Sequence, residues 1–573
     1  MNGGGMTGQA LTKWWQKAVF YQIYPRSFAD GNGDGIGDLP GMISRLEYLQ
    51  ELGVDAIWLS PHYPSPFIDC GYDVADYCGV GAEYGTLDQF KQFLNQVHQR
   101  GMKLVLDLVL NHTSDQHPWF IESRSSRNNP KRDWYIWQPG VQGEPPNNWF
   151  SAFGGSAWQL DEPTGEYYYH FFFKEQPDLN WHNPAVKKAM FDAVRFWLDM
   201  GVDGFRLDAV GTIFEDETYP GIEEHLNQEE LFRLVSAAAN PDGDARVVDY
   251  YSKMFHYQVD RPEVHSVMKE LHQVIDEYDD RVLIGETDDL AFYGNGEDEL
   301  HLVFNFPLMH TTKITAAHVR SNQSQRLAAL PEKSWACNTL GNHDSPRMFS
   351  AFGEGENKVS QAKIHLLLLL TLKGTPFLYN GEEIGMSDWL INDPAQFRDP
   401  LSRMYYEMEK QINGSDEPTA TLRGAWMGRD RNRTPMQWSN APHGGFCPAG
   451  VQPWLPVNPD FQQGINVMDE IGEPGSMINF YRRTLTLRRQ YPALQLGEYQ
   501  EVVTTNPQVL VYFRTLPDQQ LMIVLNLTGS TQKVTLPCKA TQILLNTHKN
   551  WVHIEDPTPE FLPYQGVVYA VGK

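Results

Sequence analysis

A chain of 573 residues, 41% hydrophobic and 21% charged, has the make-up of a soluble globular protein and exceeds one ordinary domain, though a barrel with insertions could take most of it. Its 72 acidic against 46 basic residues leave a net charge of −26, which argues against nucleic acid or an anionic membrane as partner. The longest apolar run, LLLLLTL at 366–372, is too short for a bilayer, and the N-terminal stretch has no signal-peptide core. Cys70, Cys78, Cys337, Cys447 and Cys538 show no C-x-x-C spacing, so a cytoplasmic protein with reduced thiols, monomeric or homodimeric, is expected.

In chain order, eight β-rich apolar runs occur: AVFYQIYP (18–25), VDAIWLSP (54–61), MKLVLDLVLN (102–111), VDGFRLDAV (202–210), RVLIGET (281–287), LVFNF (302–306), CNTLGNHD (337–344) and GTPFLYNGEE (374–383). Stretches of helical period lie between them, such as LDQFKQFLNQVHQR (87–100) and PAVKKAMFDAVRFWLDM (184–200). This alternation predicts an α/β fold, a closed (β/α)8 TIM barrel. Residues 112–180, rich in Trp, Pro, Gly and Tyr, read as a small domain inserted after strand three, and 386–450 as a polar insertion after strand eight. From 495 to 573, alternation without helices predicts a C-terminal antiparallel β-sandwich, leaving 1–111 and 181–494 to the barrel.

After the first run, DGNGDGIGD (30–38) sets Asp30, Asn32, Asp34, the Ile36 carbonyl and Asp38 at alternate positions of a Gly-rich turn. This is the oxygen-donor pattern of a calcium loop, with Mg2+ as an alternative ion. An EF-hand needs a bidentate Glu at the twelfth position, which here is Gly41. An Asp/Asn/Gly turn without metal is the competing reading.

In a (β/α)8 barrel, chemistry gathers at the C-terminal ends of the strands. Four strand ends carry titratable groups: Asp107 with Asn111 and His112; Arg206 and Asp208; Glu286; His343 and Asp344. One R-x-D pair would be read as structural, but residues two apart on a strand share a face, and several strands ending in charge are hard to explain structurally. Two carboxyls flanking a glycosidic bond suit retaining hydrolysis, one ionised as nucleophile and one protonated as acid. Arg206 is expected to hold Asp208 ionised. Glu286 follows the apolar VLIG with no adjacent basic residue, so crowding by a nearby anion is expected to raise it towards an acid catalyst's pKa.

DLVLNH (107–112), GFRLDAV (204–210), GET (285–287) and GNHD (341–344) resemble, in order and spacing, the four signature regions of the α-amylase family of retaining glycoside hydrolases. QPDLNW (176–181) and RTPMQW (433–438) are similar to further signatures of its oligo-1,6-glucosidase and α-glucosidase subgroup. The resemblance implies Asp208 as nucleophile, Glu286 as general acid and then base, and Asp344 as the carboxylate that binds sugar hydroxyls and favours an oxocarbenium-like ring. It implies that His112 and His343 bond hydroxyls of the terminal glucose and that Tyr72 stacks on it. Asp69 and Arg433 would pair to close the far end of the pocket, and Phe153 would add an aromatic wall. A closed end implies exo action. The subgroup's structural calcium would fall in the 30–38 loop, away from the chemistry.

The expected partner is a small oligosaccharide or α-glucoside. The residue after the nucleophile is Ala209. In the resembling subgroup a valine there goes with α-1,6 bonds and a smaller residue with α-1,4, so maltose-like substrates are expected, with oligo-1,6-glucosidase activity as an alternative. Asn380 and Ser345 depart from the commonest forms and are expected near the mouth, where they bear on acceptor preference. A transglucosylase, or an isomerase of the trehalose-synthase kind, would use the same intermediate. The remote alternatives are a non-catalytic binding protein on this fold and a metal-dependent barrel hydrolase using His112 and His343 as ligands.

Overall fold

A computed structural model describes residues 12–223, 229–230, 232–233, 252–549 and 556–572. The chain opens with β1 (Phe20–Ile23), β2 (Ala56–Leu59) and β3 (Lys103–Val109). Within the expected insertion lie β4 (Trp137–Pro139), β5 (Trp158–Asp161) and β6 (Glu166–Tyr169). The strands β7 (Gly204–Asp208), β8 (Val282–Gly285), β9 (Leu302–Val303), β10 (Cys337–Thr339) and β11 (Thr375–Tyr379) then complete a parallel sheet of eight, ordered β10-β11-β1-β2-β3-β7-β8-β9. Across the seam between the two end strands, the Asn305 side chain donates to Asn338 Oδ1 at 3.0 Å.

Alternation along each strand decides what the barrel holds. Phe20, Ala56, Trp58, Val105, Val282, Ile284, Leu302, Cys337 and Phe377 form one apolar cluster in its interior. The residues between them, such as Tyr21, Ile57, Leu104, Phe205, Leu283 and Leu378, join the outer core against the helices. Counting on in twos from the interior set gives Gln22, Ser60, Asp107, Arg206, Asp208 and Glu286. The parity that fills the lower barrel with hydrocarbon therefore lines its upper end with polar groups. Gly204 has φ 153°, and a Cβ there would lie 2.2 Å from the Val282 carbonyl oxygen. Its missing side chain lets β8, which leads to Glu286, close on β7, which ends in Asp208.

The outer helices start and stop where local chemistry directs. Leu87–Gln99 opens with a capping box between Thr86 and Gln89. Pro184–Met200 opens at Asn183, whose side chain accepts the Ala185 N–H, and ends at Gly201 in the left-handed region.

The insertion is a three-stranded antiparallel sheet, β4-β6-β5, with its own aromatic core of Trp149, Trp158, Tyr169 and Phe171. The C-terminal domain is a five-stranded antiparallel sheet with a two-stranded ribbon, Gln532–Lys533 with Glu560–Phe561. Its strand Val509–Leu516 turns Val509 and Val511 towards the ribbon and Leu510 and Tyr512 towards the barrel. The second layer of the expected sandwich is thus only a ribbon, because the barrel's helices cover the other face. One buried arginine joins the domains: Arg514 donates to the Thr371 and Leu372 carbonyls of the barrel and to that of Gly497, while Arg488, also buried, ties the Leu370, Gly374 and Leu494 carbonyls together within the barrel. Among the described residues no helix is long and apolar enough to cross a membrane.

Candidate active site

The inward parity of β7 brings Arg206 and Asp208 into the barrel mouth, with Asp107 of β3 on one side and Glu286, just past β8, on the other. Arg206 is fully buried and its Nη1 donates to both Asp107 Oδ1 and Asp208 Oδ1 at 2.7 Å. Its Nη2 lies 2.7 Å from Glu286 Oε1, without the alignment of a hydrogen bond. The expectation that Glu286 has no basic neighbour is therefore corrected: Arg206 is remote from it in sequence and adjacent in space, because β7 and β8 pair. The Ala209 N–H, on a residue held at φ 41°, donates to the other oxygen of Glu286 at 2.9 Å. Burial outweighs the pull of Arg206, leaving Asp208 well above the usual carboxylate range and Asp107 at about 6. Three carboxyls around one guanidinium carry more negative charge than it balances.

Asp344 follows β10. Burial alone would raise its carboxyl, but His343, Arg433 and Arg429 surround it and bring it well below its ordinary range. Burial also takes His343 well below its own ordinary value. With that imidazole neutral, the two arginines supply the charge that holds Asp344 ionised.

The arginine that meets Asp69 is Arg429, not Arg433. Arg429 Nη2 lies 2.7 Å from Asp69 Oδ1, and its Nη1 is 3.4 Å from Asp344 Oδ1. Arg433 turns inward instead, donating from Nε to the His343 carbonyl at 2.9 Å and from Nη2 to Asp344. The short helix Asp430–Asn432 lies between the two and separates their directions. Asp399 fixes Arg429, accepting its backbone N–H at 2.6 Å and its Nε at 3.0 Å. Neither Asp399 nor Arg429 lies in any motif.

The Tyr72 hydroxyl bridges Asp107 Oδ2 at 3.1 Å and His343 Nε2 at 2.5 Å, and the two rings lie parallel, 5.5 Å apart. The Gln176 amide, in QPDLNW, donates to Asp69 Oδ2 at 3.2 Å and reaches His112 Nε2 at 2.9 Å. The same Nε2 lies 3.2 Å from the Tyr72 carbonyl oxygen, and burial lowers His112 to about 4. Asp69, Tyr72, His112, Phe153, Asp208, Glu286 and Asp344 line one cavity of about 180 Å3, together with Phe172, Ala209 and Arg429. Arg206, His343 and Arg433 stand behind this lining. Phe172, 5.4 Å from Phe153 ring to ring, was missed because FFF (171–173) reads as core. Asn380 is not at the mouth: it is fully buried, its Oδ1 accepting the Tyr24 N–H at 2.9 Å.

The 30–38 loop lies apart from this cavity and is closed by its own hydrogen bonds. Asp30 accepts from Gly33 and Gly35, Asn32 from Asp34, Asp34 from Ile36, and Asp38 from Gly31, Asn32 and Gly41. The donor chemistry suits calcium. As folded, these oxygens serve the loop's own N–H groups, and among the described residues no three His, Cys, Asp or Glu side chains converge.

Residues 22–497 match the family model for the alpha amylase catalytic domain, and residues 509–568 that for the alpha-amylase SusG C-terminal domain. An oligo-1,6-glucosidase of Parageobacillus thermoglucosidasius is 40% identical over 580 residues, 97% of this chain and 99% of its own. An alpha-glucosidase of Schizosaccharomyces pombe is 36% identical over 590 residues, 97% of each chain. The crystal structure of a mutant isomaltulose synthase of Erwinia rhapontici NX5, in complex with its natural substrate sucrose, has a TM-score of 0.85 at 35% identity, covering 98% of this chain and 100% of that one. With the signature carboxylates gathered at one barrel mouth and relatives matched almost end to end, the chain belongs to the α-amylase family of glycoside hydrolases.

Proposed function

We propose that the protein is an exo-acting retaining α-glucosidase, releasing glucose from the non-reducing end of short α-glucosides and favouring α-1,4 bonds. One observation carries the reading: a single guanidinium, Arg206, touches both Asp208 and Glu286 at the floor of a cavity that Asp69 and Arg429 bridge on one side. At about 180 Å3 the cavity is below the roughly 300–1,000 Å3 of a typical ligand pocket, which suits one monosaccharide ring.

Arg206 gives its aligned hydrogen bonds to Asp208 and Asp107, which favours charge on those two, and Glu286 takes the acid's part. In the first step Asp208 attacks the anomeric carbon and forms an ester with it, while Glu286 gives its proton to the departing oxygen. In the second step Glu286 takes a proton from water, whose oxygen attacks the same carbon and frees Asp208. Ionised Asp344, with neutral His112, holds the hydroxyls of the ring as positive charge develops on it, while His343, expected to share that part, is fully buried with both ring nitrogens engaged by Gln22 and Tyr72.

The small Ala209 at the cavity wall supports α-1,4 preference. The relatives named oligo-1,6-glucosidase support α-1,6 cleavage as a second reading, and the likeness to an isomaltulose synthase supports transfer as a third. Separate incubation with maltose, isomaltose, sucrose and trehalose, with products resolved over time, distinguishes them. Glucose from maltose with isomaltose nearly untouched supports the first reading. Rapid isomaltose cleavage would establish the second, and new disaccharides outweighing glucose the third.

For the 30–38 loop we propose a stabilising Ca2+, which Asp30, Asn32, Asp34, the Ile36 carbonyl and Asp38 would hold if their oxygens turned inward. No catalytic step runs through it.

A further inference from the structure

A second hollow adjoins the catalytic cavity. It measures about 650 Å3 and opens on the other side of the loop after β10: Asp344 lines the catalytic cavity and the next residue, Ser345, lines this one. A second segment is shared in the same way, with Arg429 in the first lining and Arg431 in the second. Consecutive Cα atoms are about 3.8 Å apart, so at Asp344–Ser345 a single peptide link joins the two walls.

The lining of this second cavity suits a sugar. Trp426 presents an indole that is 45% exposed, with the Arg431 guanidinium 4.6 Å from its ring centre. Asp388 lies 3.7 Å from Arg431, and the buried Arg431 Nε has no hydrogen-bond partner. Ser345 and Thr311 add hydroxyls, and His310 an exposed imidazole. Asp388 and Glu354 against the one Arg431 guanidinium leave the lining with a small negative excess, which disfavours an anion. A neutral polyhydroxylated ring fits: its C–H face would lie on the indole, and its hydroxyls would bridge the carboxylate and the guanidinium.

We propose that this cavity is a second hexose-binding pocket, which takes the distal glucosyl unit of a trisaccharide or longer α-glucoside. The proposal rests on the α-glucosidase reading above. Hydrolysis of a disaccharide does not need it, so its contribution appears only with longer substrates.

The test is steady-state kinetics of the full chain and of Trp426→Ala on maltose and maltotriose, or on isomaltose and isomaltotriose if the 1,6-linked disaccharide is the one cleaved. The expected result is a KM for the trisaccharide raised about 5- to 10-fold by Trp426→Ala, partial recovery in Trp426→Phe, and disaccharide kcat/KM within about twofold of the parent. Equal effects on both substrates, or none on the trisaccharide, would overturn the proposal. So would a change confined to oligomeric mass, since Leu422, one turn away on the helix Glu417–Met427, is also exposed and a contact between copies could account for both. If no disaccharide is cleaved at all, the α-glucosidase reading fails. The pocket is then judged by titrating maltotriose into Asp208→Asn and into Asp208→Asn with Trp426→Ala: binding lost in the second supports it, and unchanged or absent binding overturns it.

Discussion

Asp399 and Arg429 form a bidentate pair inside the site: one Asp399 oxygen accepts the backbone N–H and Nε of Arg429, and the other accepts Nη2 at 2.9 Å. The same Nη2 reaches Asp69, so the group that bridges one side of the sugar cavity is aimed by a residue outside its lining. Asp399→Asn is expected to raise KM about 10-fold, roughly 1.4 kcal/mol, with a smaller fall in kcat. Asp399→Glu should recover little, because a longer stem misplaces the fork. A fall in kcat with KM unmoved would contradict this.

Glu286 is assigned the proton that the departing oxygen needs. Replacing it with Gln should lower kcat on maltose by about 10^3-fold and spare an aryl α-glucoside whose leaving group needs no proton. Asp208→Asn should abolish turnover of both. Equal losses on the two substrates in Glu286→Gln would remove Glu286 from the acid role.

The site also fixes the direction of its pH response. A raised carboxyl is charged only above its raised pKa, so protonating Asp208 on the way down removes the nucleophile. With Asp208 raised well above the ordinary carboxylate range, kcat/KM should fall on acidification at a pH well above that range. His112, at about 4, and His343, lower than its ordinary value, are already neutral there and contribute no limb. His112→Asn should therefore lower activity without moving the acid limb; a shift of a full pH unit would refute this account.

Calcium should act on stability alone. Added Ca2+ is expected to raise Tm and a chelator to lower it, with kcat/KM at 25 °C unchanged in both. Asp30→Asn should abolish the Tm response. A Tm indifferent to calcium would leave the loop as the hydrogen-bonded turn already described.

Arg514→Met should lower Tm by several degrees without changing kinetics at 25 °C. It leaves the Thr371, Leu372 and Gly497 carbonyls without their donor, at about 1–3 kcal/mol for each one that stays buried and unpaired. A variant as stable as the parent would show that water replaces the guanidinium at this junction.

Much of this was legible in the sequence because barrel strands are apolar runs with charge at one end. Asp107, Asp208, Glu286 and His343–Asp344 each sit where such a run stops, and strand parity alone sets Arg206 beside Asp208. What escaped was produced by folding. Glu286 gains Arg206 because β7 and β8 are neighbours in the ring, 77 residues after Ala209 in the chain. Arg429 was hidden because RTPMQW advertises Arg433, while the residue facing Asp69 lies in MGRDRN, a stretch with no periodicity or spacing to single it out. The calcium loop is the converse case: its spacing is plain, but those oxygens also satisfy the loop's own N–H groups, and sequence does not rank the two uses.

The Asp69–Arg429 bridge has a consequence for how a long substrate would be consumed. A cavity with a blocked end cannot be threaded: a freed glucose must leave by the mouth through which the chain came in, and the shortened remainder has to withdraw to let it pass. Successive cuts would then fall on different molecules. A starting oligosaccharide of one length should degrade into a ladder of all shorter lengths, each rising and falling in turn, and never pass directly to glucose beside untouched starting material.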